Sequence, residues 1–186
     1  MTTINSVGNG LSGSTGSGNF VGANTPTLIT PVLGAATATS INFGGSTLSN
    51  YVSEASWTPV FTFGTPGNLS VSYSVQFGSY TRIGSVVYYM FVVGCTPTFT
   101  TSSGEAQITG LPLTCIGVSF PGSVLGTSTN MTYPAGTTVA YTNVQASSTL
   151  IVLSAAGSTV SSTAFSTANF VTGQSLSLTA AGYYFV

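Results

Sequence analysis

From Trp57 to the last residue no stretch sustains the three-to-four-residue spacing of apolar side chains that an amphipathic helix needs. Residues 69–77, LSVSYSVQF, alternate instead. Leu69, Val71, Tyr73, Val75 and Phe77 fall on one face, and Ser70, Ser72, Ser74 and Gln76 on the other. That two-residue period predicts a strand with one buried face and one hydroxyl-lined face. Similar runs follow one another with turn residues between them: WTPVFTF (57–63), YTRI (80–83), SVVYYMFVV (85–93), EAQITGLPL (105–113), IGVSF (116–120), TVAYTNVQ (138–145), TLIVLSA (149–155) and SLSLTAAGYYFV (175–186). Residues 86–93 are apolar at every position, the pattern of a strand buried on both faces. Many short strands of this kind predict an all-β head, a β-sandwich or jelly roll, over residues 51–186.

The first fifty residues differ. Residues 8–24 are Gly- and Ser-rich, the composition of a flexible linker. Residues 25–50 carry Pro26 and Pro31, which favour extended backbone, and isolated apolar side chains: Leu28, Ile29, Val32, Leu33, Ile41 and Phe43. No part of this segment can build a core alone. It reads as an extended N-terminal arm, residues 1–50, ordered against copies of itself or a docking protein.

Charge bounds the chemistry. The 186 residues contain one arginine, Arg82, two glutamates, Glu54 and Glu105, and no Lys, Asp or His. General acid–base catalysis needs a placed titratable group, most often His. Nucleic-acid binding needs clustered Lys and Arg, and transition-metal sites need His, Cys or carboxylate sets. The inventory argues against all three, so the chain is expected to be no enzyme, to hold no cofactor or metal, and to bind no nucleic acid. With 28 Ser and 31 Thr, solubility rests on hydroxyls and amides rather than ions. A near-neutral surface lacks the self-repulsion that keeps proteins apart, which predicts self-association.

Cys95 and Cys115 lie 20 residues apart. They fit two buried free thiols, which behave as small hydrophobes, or a single bridge between neighbouring strands; the spacing is no metal pattern. The N-terminus has neither a basic region nor an apolar core of a signal peptide. The longest apolar run, 86–93, is far short of a membrane span, so no membrane insertion is expected. Asn68-Leu-Ser and Asn130-Met-Thr match the glycosylation pattern, but such matches arise by chance in a chain rich in Ser and Thr. GVSFPG (117–122) resembles a nucleophile elbow only superficially, since Pro121 precedes the final Gly and no His could activate Ser119.

The most specific signal is an ordered set: Trp57-Thr-Pro, then GSYTRIG (78–84), an aromatic strand (88–93), and AQITGLP (106–112). In this order it resembles the C-terminal domains of tailed-bacteriophage tail-fibre and minor tail proteins. Residues 26–45 are similar to segments that precede such domains, and 175–186 to the last strand of trimeric jelly-roll heads. Residues 116–170 match no such pattern. The chain departs from that family in its scarcity of charge, so the family's charged metal and glycan sites do not carry over.

The resemblance implies a virion structural protein, a tail fibre or receptor-binding or decoration protein. It would be a homotrimer, docked through its arm to other tail or capsid proteins, with a host surface glycan or protein as its partner. Its place would be the virion, outside the cell after host lysis. The alternative is a bacterial or archaeal surface-filament subunit assembled by strand addition. A tail-spike hydrolase would need two paired carboxylates, and only Glu54 and Glu105 exist. Candidate glycan contacts are Tyr133, Tyr141, Tyr183 and Tyr184, each weighed against plain core packing. Arg82 is expected either to bond backbone carbonyls, with Glu105 or Glu54 as its ionic partner, or to face solvent at a strand end.

Overall fold

A computed structural model describes residues 41–48, 50–127 and 130–186 of the protein. The compact unit that holds them runs Ala38–Val186. The arm expected at 1–50, with Leu28, Ile29, Val32 and Leu33, lies outside the described residues as far as residue 40. Its end forms a hairpin, β1 (Ile41–Phe43) and β2 (Ser46–Leu48).

The strands that follow are β3 (Val52–Trp57), β4 (Val60–Thr65), β5 (Ser70–Ile83), β6 (Val86–Thr98), β7 (Ser103–Thr109) and β8 (Phe120–Val124). After them come β9 (Gly126–Thr127), β10 (Val139–Val144), β11 (Leu150–Ala156), β12 (Thr163–Ala164) and β13 (Leu176–Phe185). They form an antiparallel sandwich. One sheet has the order β3-β5-β6-β13-β9 and the other β4-β7-β11-β10-β8, with β12 beside β11. The all-β sandwich expected from the alternating runs is thus the fold.

The core is where the two inner faces meet. β6 contributes Val87, Tyr89, Phe91, Val93 and Cys95, and β13 contributes Leu176, Leu178, Ala180 and Tyr184. Opposite them stand Phe61 and Phe63, Ile108, and Ile151 and Leu153. Phe61, Phe63, Phe165 and Phe170 pack edge to face with centroids 5.3–6.2 Å apart, the favoured aromatic geometry. Residues 116–170, which carry no recognisable motif, supply two of these rings.

Three tyrosines tie the layers together, and each buried hydroxyl has a partner, as burial requires. The backbone N–H of Phe61 donates to Tyr73 Oη at 3.0 Å. Tyr89 Oη and Thr142 Oγ1 are 3.1 Å apart, joining β6 to β10. Tyr184 Oη donates to the Leu113 carbonyl at 3.0 Å.

The structure corrects the expected strands at four places. WTPVFTF is not one strand: Trp57 closes β3 in one sheet and Val60 opens β4 in the other, with Thr58 and buried Pro59 carrying the chain across. Residues 69–77 and YTRI belong to one long strand, β5. IGVSF is loop as far as Ser119, and β8 starts only at Phe120.

The fourth correction has the widest consequence. The register of β5 against β6 shifts between Tyr73 and Val75, which face Cys95 and Gly94. One inserted residue moves every later side chain to the other face of the sheet. Val71 and Tyr73 therefore lie inward, while Val75 and Phe77 lie outward, Phe77 with 48 % of its surface exposed. Residues 86–93 likewise alternate. Val87, Tyr89, Phe91 and Val93 are buried, whereas Tyr88 and Met90 stand on the outer face.

Candidate functional site

The motif residues of the first part of the head meet around Trp57. Its indole Nε1 donates to the carbonyls of Ser79 and Met90 at 3.3 and 3.2 Å. Its ring meets Phe91 edge to face at 6.2 Å. Gly78 is the cross-strand partner of Trp57, and a Cβ there would lie 2.6 Å from Nε1 and Cε2. Gly110, at φ 94°, sits under Thr58, where a Cβ would come 2.5 Å from the Thr58 carbonyl oxygen. The segments WTP, GSYTRIG and ITGLP thus meet at one corner, where the chain passes between sheets. Two glycines are required there by close approach. This constellation is structural; it leaves no reactive group free.

Arg82 lies on β5 beside Val87, and its Nε donates to the Gly84 carbonyl at 2.7 Å. That is the backbone bond expected of it. Among the described residues no carboxylate lies within ion-pair distance of it. Glu54 is exposed on β3, and Glu105 is exposed on β7 in the opposite sheet, bridged through its backbone to Ser166. The three charges are not brought together.

The four candidate tyrosines separate. Tyr184 is wholly buried, and burial pushes its hydroxyl up to about 12, against the partial offset of the Leu113 hydrogen bond. It is a core residue and meets no glycan. Tyr133 is half-buried against Phe165, with ring centroids 5.7 Å apart. Tyr141 is half-buried with its hydroxyl bonded to Ser162 Oγ. Only Tyr183 presents a largely open ring, with 52 % of its surface exposed.

Both cysteines are free and buried. Burial raises the Cys95 thiol to about 11, and it raises Cys115 as well. Cys115 Sγ bonds the Val118 carbonyl at 3.3 Å. Both thiols are held in their protonated form at neutral pH, and the thiolate is the nucleophile and the metal ligand. No group of three His, Cys, Asp or Glu that could hold a metal occurs among the described residues. Asn68, one of the two glycosylation matches, is engaged elsewhere: its Oδ1 accepts from the N–H groups of Thr100 and Thr101, both at 2.9 Å.

What the sheets do present is an open apolar face. On the outer side of β5, β6 and β13 stand Val75, Phe77, Ile83, Tyr88, Met90 and Tyr183, all exposed. The cross-strand pairs Phe77–Val92, Thr81–Tyr88 and Tyr88–Tyr183 set them in adjoining rows. No charged side chain points outward from these three strands, since Arg82 shares the row of buried Val87. Isolated surface hydrophobes are ordinary, but a contiguous set marks an interaction surface. Sequence reasoning placed four of these six residues inward: Val75 and Phe77, because nothing in the period-two pattern marks the bulge after Tyr73, and Tyr88 and Met90, because residues 86–93 are apolar throughout.

No family model, no curated protein and no solved structure matches the chain. Among the described residues no helix is long and apolar enough to cross a membrane.

Proposed function

We propose that this chain is a structural virion protein of the phage tail-fibre or tail-attachment kind, working by surface recognition rather than catalysis. Its sandwich head assembles with copies of itself, and its N-terminal arm docks it to other tail or capsid proteins. The observation that carries this reading is the uncharged outer face of β5, β6 and β13, centred on Phe77, Val92 and Met90. Interface cores are depleted in charge and rich in aromatic residues and Met, which is the composition of this face. The ordered motifs around Trp57 support the same family, and the family sets the number of subunits at three.

Strand addition, the filament alternative, draws less support. The Phe61 N–H on edge strand β4 is already bonded to Tyr73, and edge strand β8 carries Pro121. Proline on an edge discourages pairing with another chain.

Light scattering coupled to size exclusion tests the assembly on the full chain, in low salt and in molar salt. A trimer in both is expected, since no ion pair is needed to hold it. Replacing Phe77 and Met90 with serine should release monomers. A stable monomer of the unaltered chain, or dissociation by salt alone, contradicts the reading. Antibody-labelled electron micrographs of virions test the location, with a three-fold knob on the tail as the expected image.

A further inference from the structure

The outer face of β5, β6 and β13 is not flat. At the register shift Ser74 is the extra residue of β5, between Tyr73 opposite Cys95 and Val75 opposite Gly94. Gly94 falls in the outward row of β6, with Tyr88, Met90 and Val92, since Val93 and Cys95 on either side of it are buried. A Cβ on Gly94 would lie 2.8 Å from Ser74 Oγ, so the bulge and the glycine fit together. Above them the face sinks into a hollow of about 240 Å3, floored by Gly94 and walled by Val75, Val92, Ser74, Ser175 and Ser177. No charged side chain lines it.

Two residues along β5 from Val75, Phe77 projects from the same face. The other aromatic rings there support one another. Tyr183 lies 6.2 Å from both Tyr88 and Phe185, and Phe185 lies 5.2 Å from Phe120. Phe77 meets no ring among the described residues, and it does not line the hollow of its own chain. Its open ring therefore has contacts to gain. With two side-chain torsions it is also ordered at less cost than the flexible Met90 on the next strand.

We propose that the hollow over Gly94 receives the Phe77 ring of a second copy of this chain. Facing sheets pack about 10 Å apart with their side chains interdigitated. Opposite a glycine that spacing leaves a void that a side chain of the facing sheet can fill, and an unfilled void forfeits contacts on every wall. A cavity of about 150 Å3 is enough to hold a benzene ring, so a hollow of about 240 Å3 admits the ring of a phenylalanine. Neither the ring nor the hollow brings a charge to be desolvated. A projection and a hollow at different places on one face make a head-to-tail contact, each copy to the next, which a three-fold rotation closes into a ring. The inference rests on self-association through the outer face, and it names the side chain and the socket that hold the copies together.

The test is a double-substitution cycle on the full chain, with association constants read from dilution series by light scattering. Phe77→Ala, which removes the ring, and Ser177→Leu, which fills the hollow from its exposed rim, should each weaken association at least tenfold. Together they should do no worse than the more damaging of the two alone, because a filled hollow has nothing to lose once the ring is gone. Within one chain Phe77 and Ser177 lie on β5 and β13 with β6 between them, about 9.5 Å apart at the least, so such coupling reports a contact between copies. Ser175→Leu, on the same rim, repeats the cycle should Ser177→Leu fail to fold. Ile83→Ala, on the same face but away from the hollow, should instead multiply with Ser177→Leu. Losses for Phe77 and Ser177 that simply multiply, or association indifferent to both rim variants, overturn the proposal. Coupling of the pair in the urea midpoint of the monomer would seat the ring in its own hollow and overturn it as well. An unaltered chain that stays monomeric at every concentration overturns the self-association reading itself, whereas association that persists without the coupling overturns only the socket.

Discussion

The indole of Trp57 lies against Gly78, its cross-strand partner, so closely that a single added methyl group would sit 2.6 Å from the indole nitrogen. The ring cannot swing away without giving up its bonds to the Ser79 and Met90 carbonyls. Gly78→Ala should therefore destabilise the head by about 1–3 kcal/mol, the usual range for overpacking a tight site. Trp57→Phe, which keeps a ring but removes the donor, should cost a similar amount, about 1–3 kcal/mol, through lost hydrogen bonds. Urea midpoints read both, and the single tryptophan provides the fluorescence signal for the glycine variant. An unchanged midpoint for Gly78→Ala would mean that the corner is loose.

Phe77 and Tyr73 test the bulge. With Phe77 on the outer face, Phe77→Ser should leave the stability of the isolated head within about 1 kcal/mol while weakening self-association. Were Phe77 a core residue, the same change should cost on the order of 3–5 kcal/mol. Tyr73→Phe, by contrast, strips the Phe61 N–H of its acceptor and should cost about 1–3 kcal/mol. A larger loss at Phe77 than at Tyr73 would put the bulge elsewhere.

Stability should fall in alkali. Burial raises Cys95 to about 11 and Tyr184 to about 12, from ordinary values of 9.0 and 10.0. The folded state keeps protons that the unfolded chain releases first. The contribution is thus complete below about pH 9 and is lost as pH climbs through 11 to 12, by at most about 1.4 kcal/mol per pH unit for each group. Tyr89 and Tyr73, also raised by burial, extend the same limb. Urea midpoints between neutral and strongly alkaline pH measure the decline. Cys95→Ala should make the early decline shallower without abolishing it, since Cys115 is raised by burial from the same ordinary value, and an early decline unchanged by that substitution would exclude the Cys95 thiol as its source.

Arg82→Ala should cost about 1 kcal/mol, the worth of one partly exposed hydrogen bond to Gly84. Its effect should not vary with salt, because among the described residues no carboxylate is paired with it. A loss of 3–5 kcal/mol, typical when one partner of a buried ion pair is removed, would show that a partner closes on it in the assembled protein.

The class of fold was legible from the chain alone. Runs such as 138–145 and 149–155 became β10 and β11 nearly as they stand, because alternation and β-branched residues act locally. The scarcity of charge likewise belongs to the sequence, and it narrows the chemistry whatever the fold. The ordered motifs were visible too, though only the packing of Gly78 and Gly110 on Trp57 and Thr58 explains why they occur together. Which face of each strand points inward was not legible. Tyr183 and Tyr184 are neighbours of one type, yet one is half open and the other has no exposed surface. The difference comes from the pairing of β13 with β6, set by the core of the whole sandwich. The bulge after Tyr73 and the crossing at Thr58 and Pro59 are of the same kind. A period of two says only that successive side chains alternate, whereas the side that is buried, and the residue where the count slips, depend on partners that the chain brings together only when it folds.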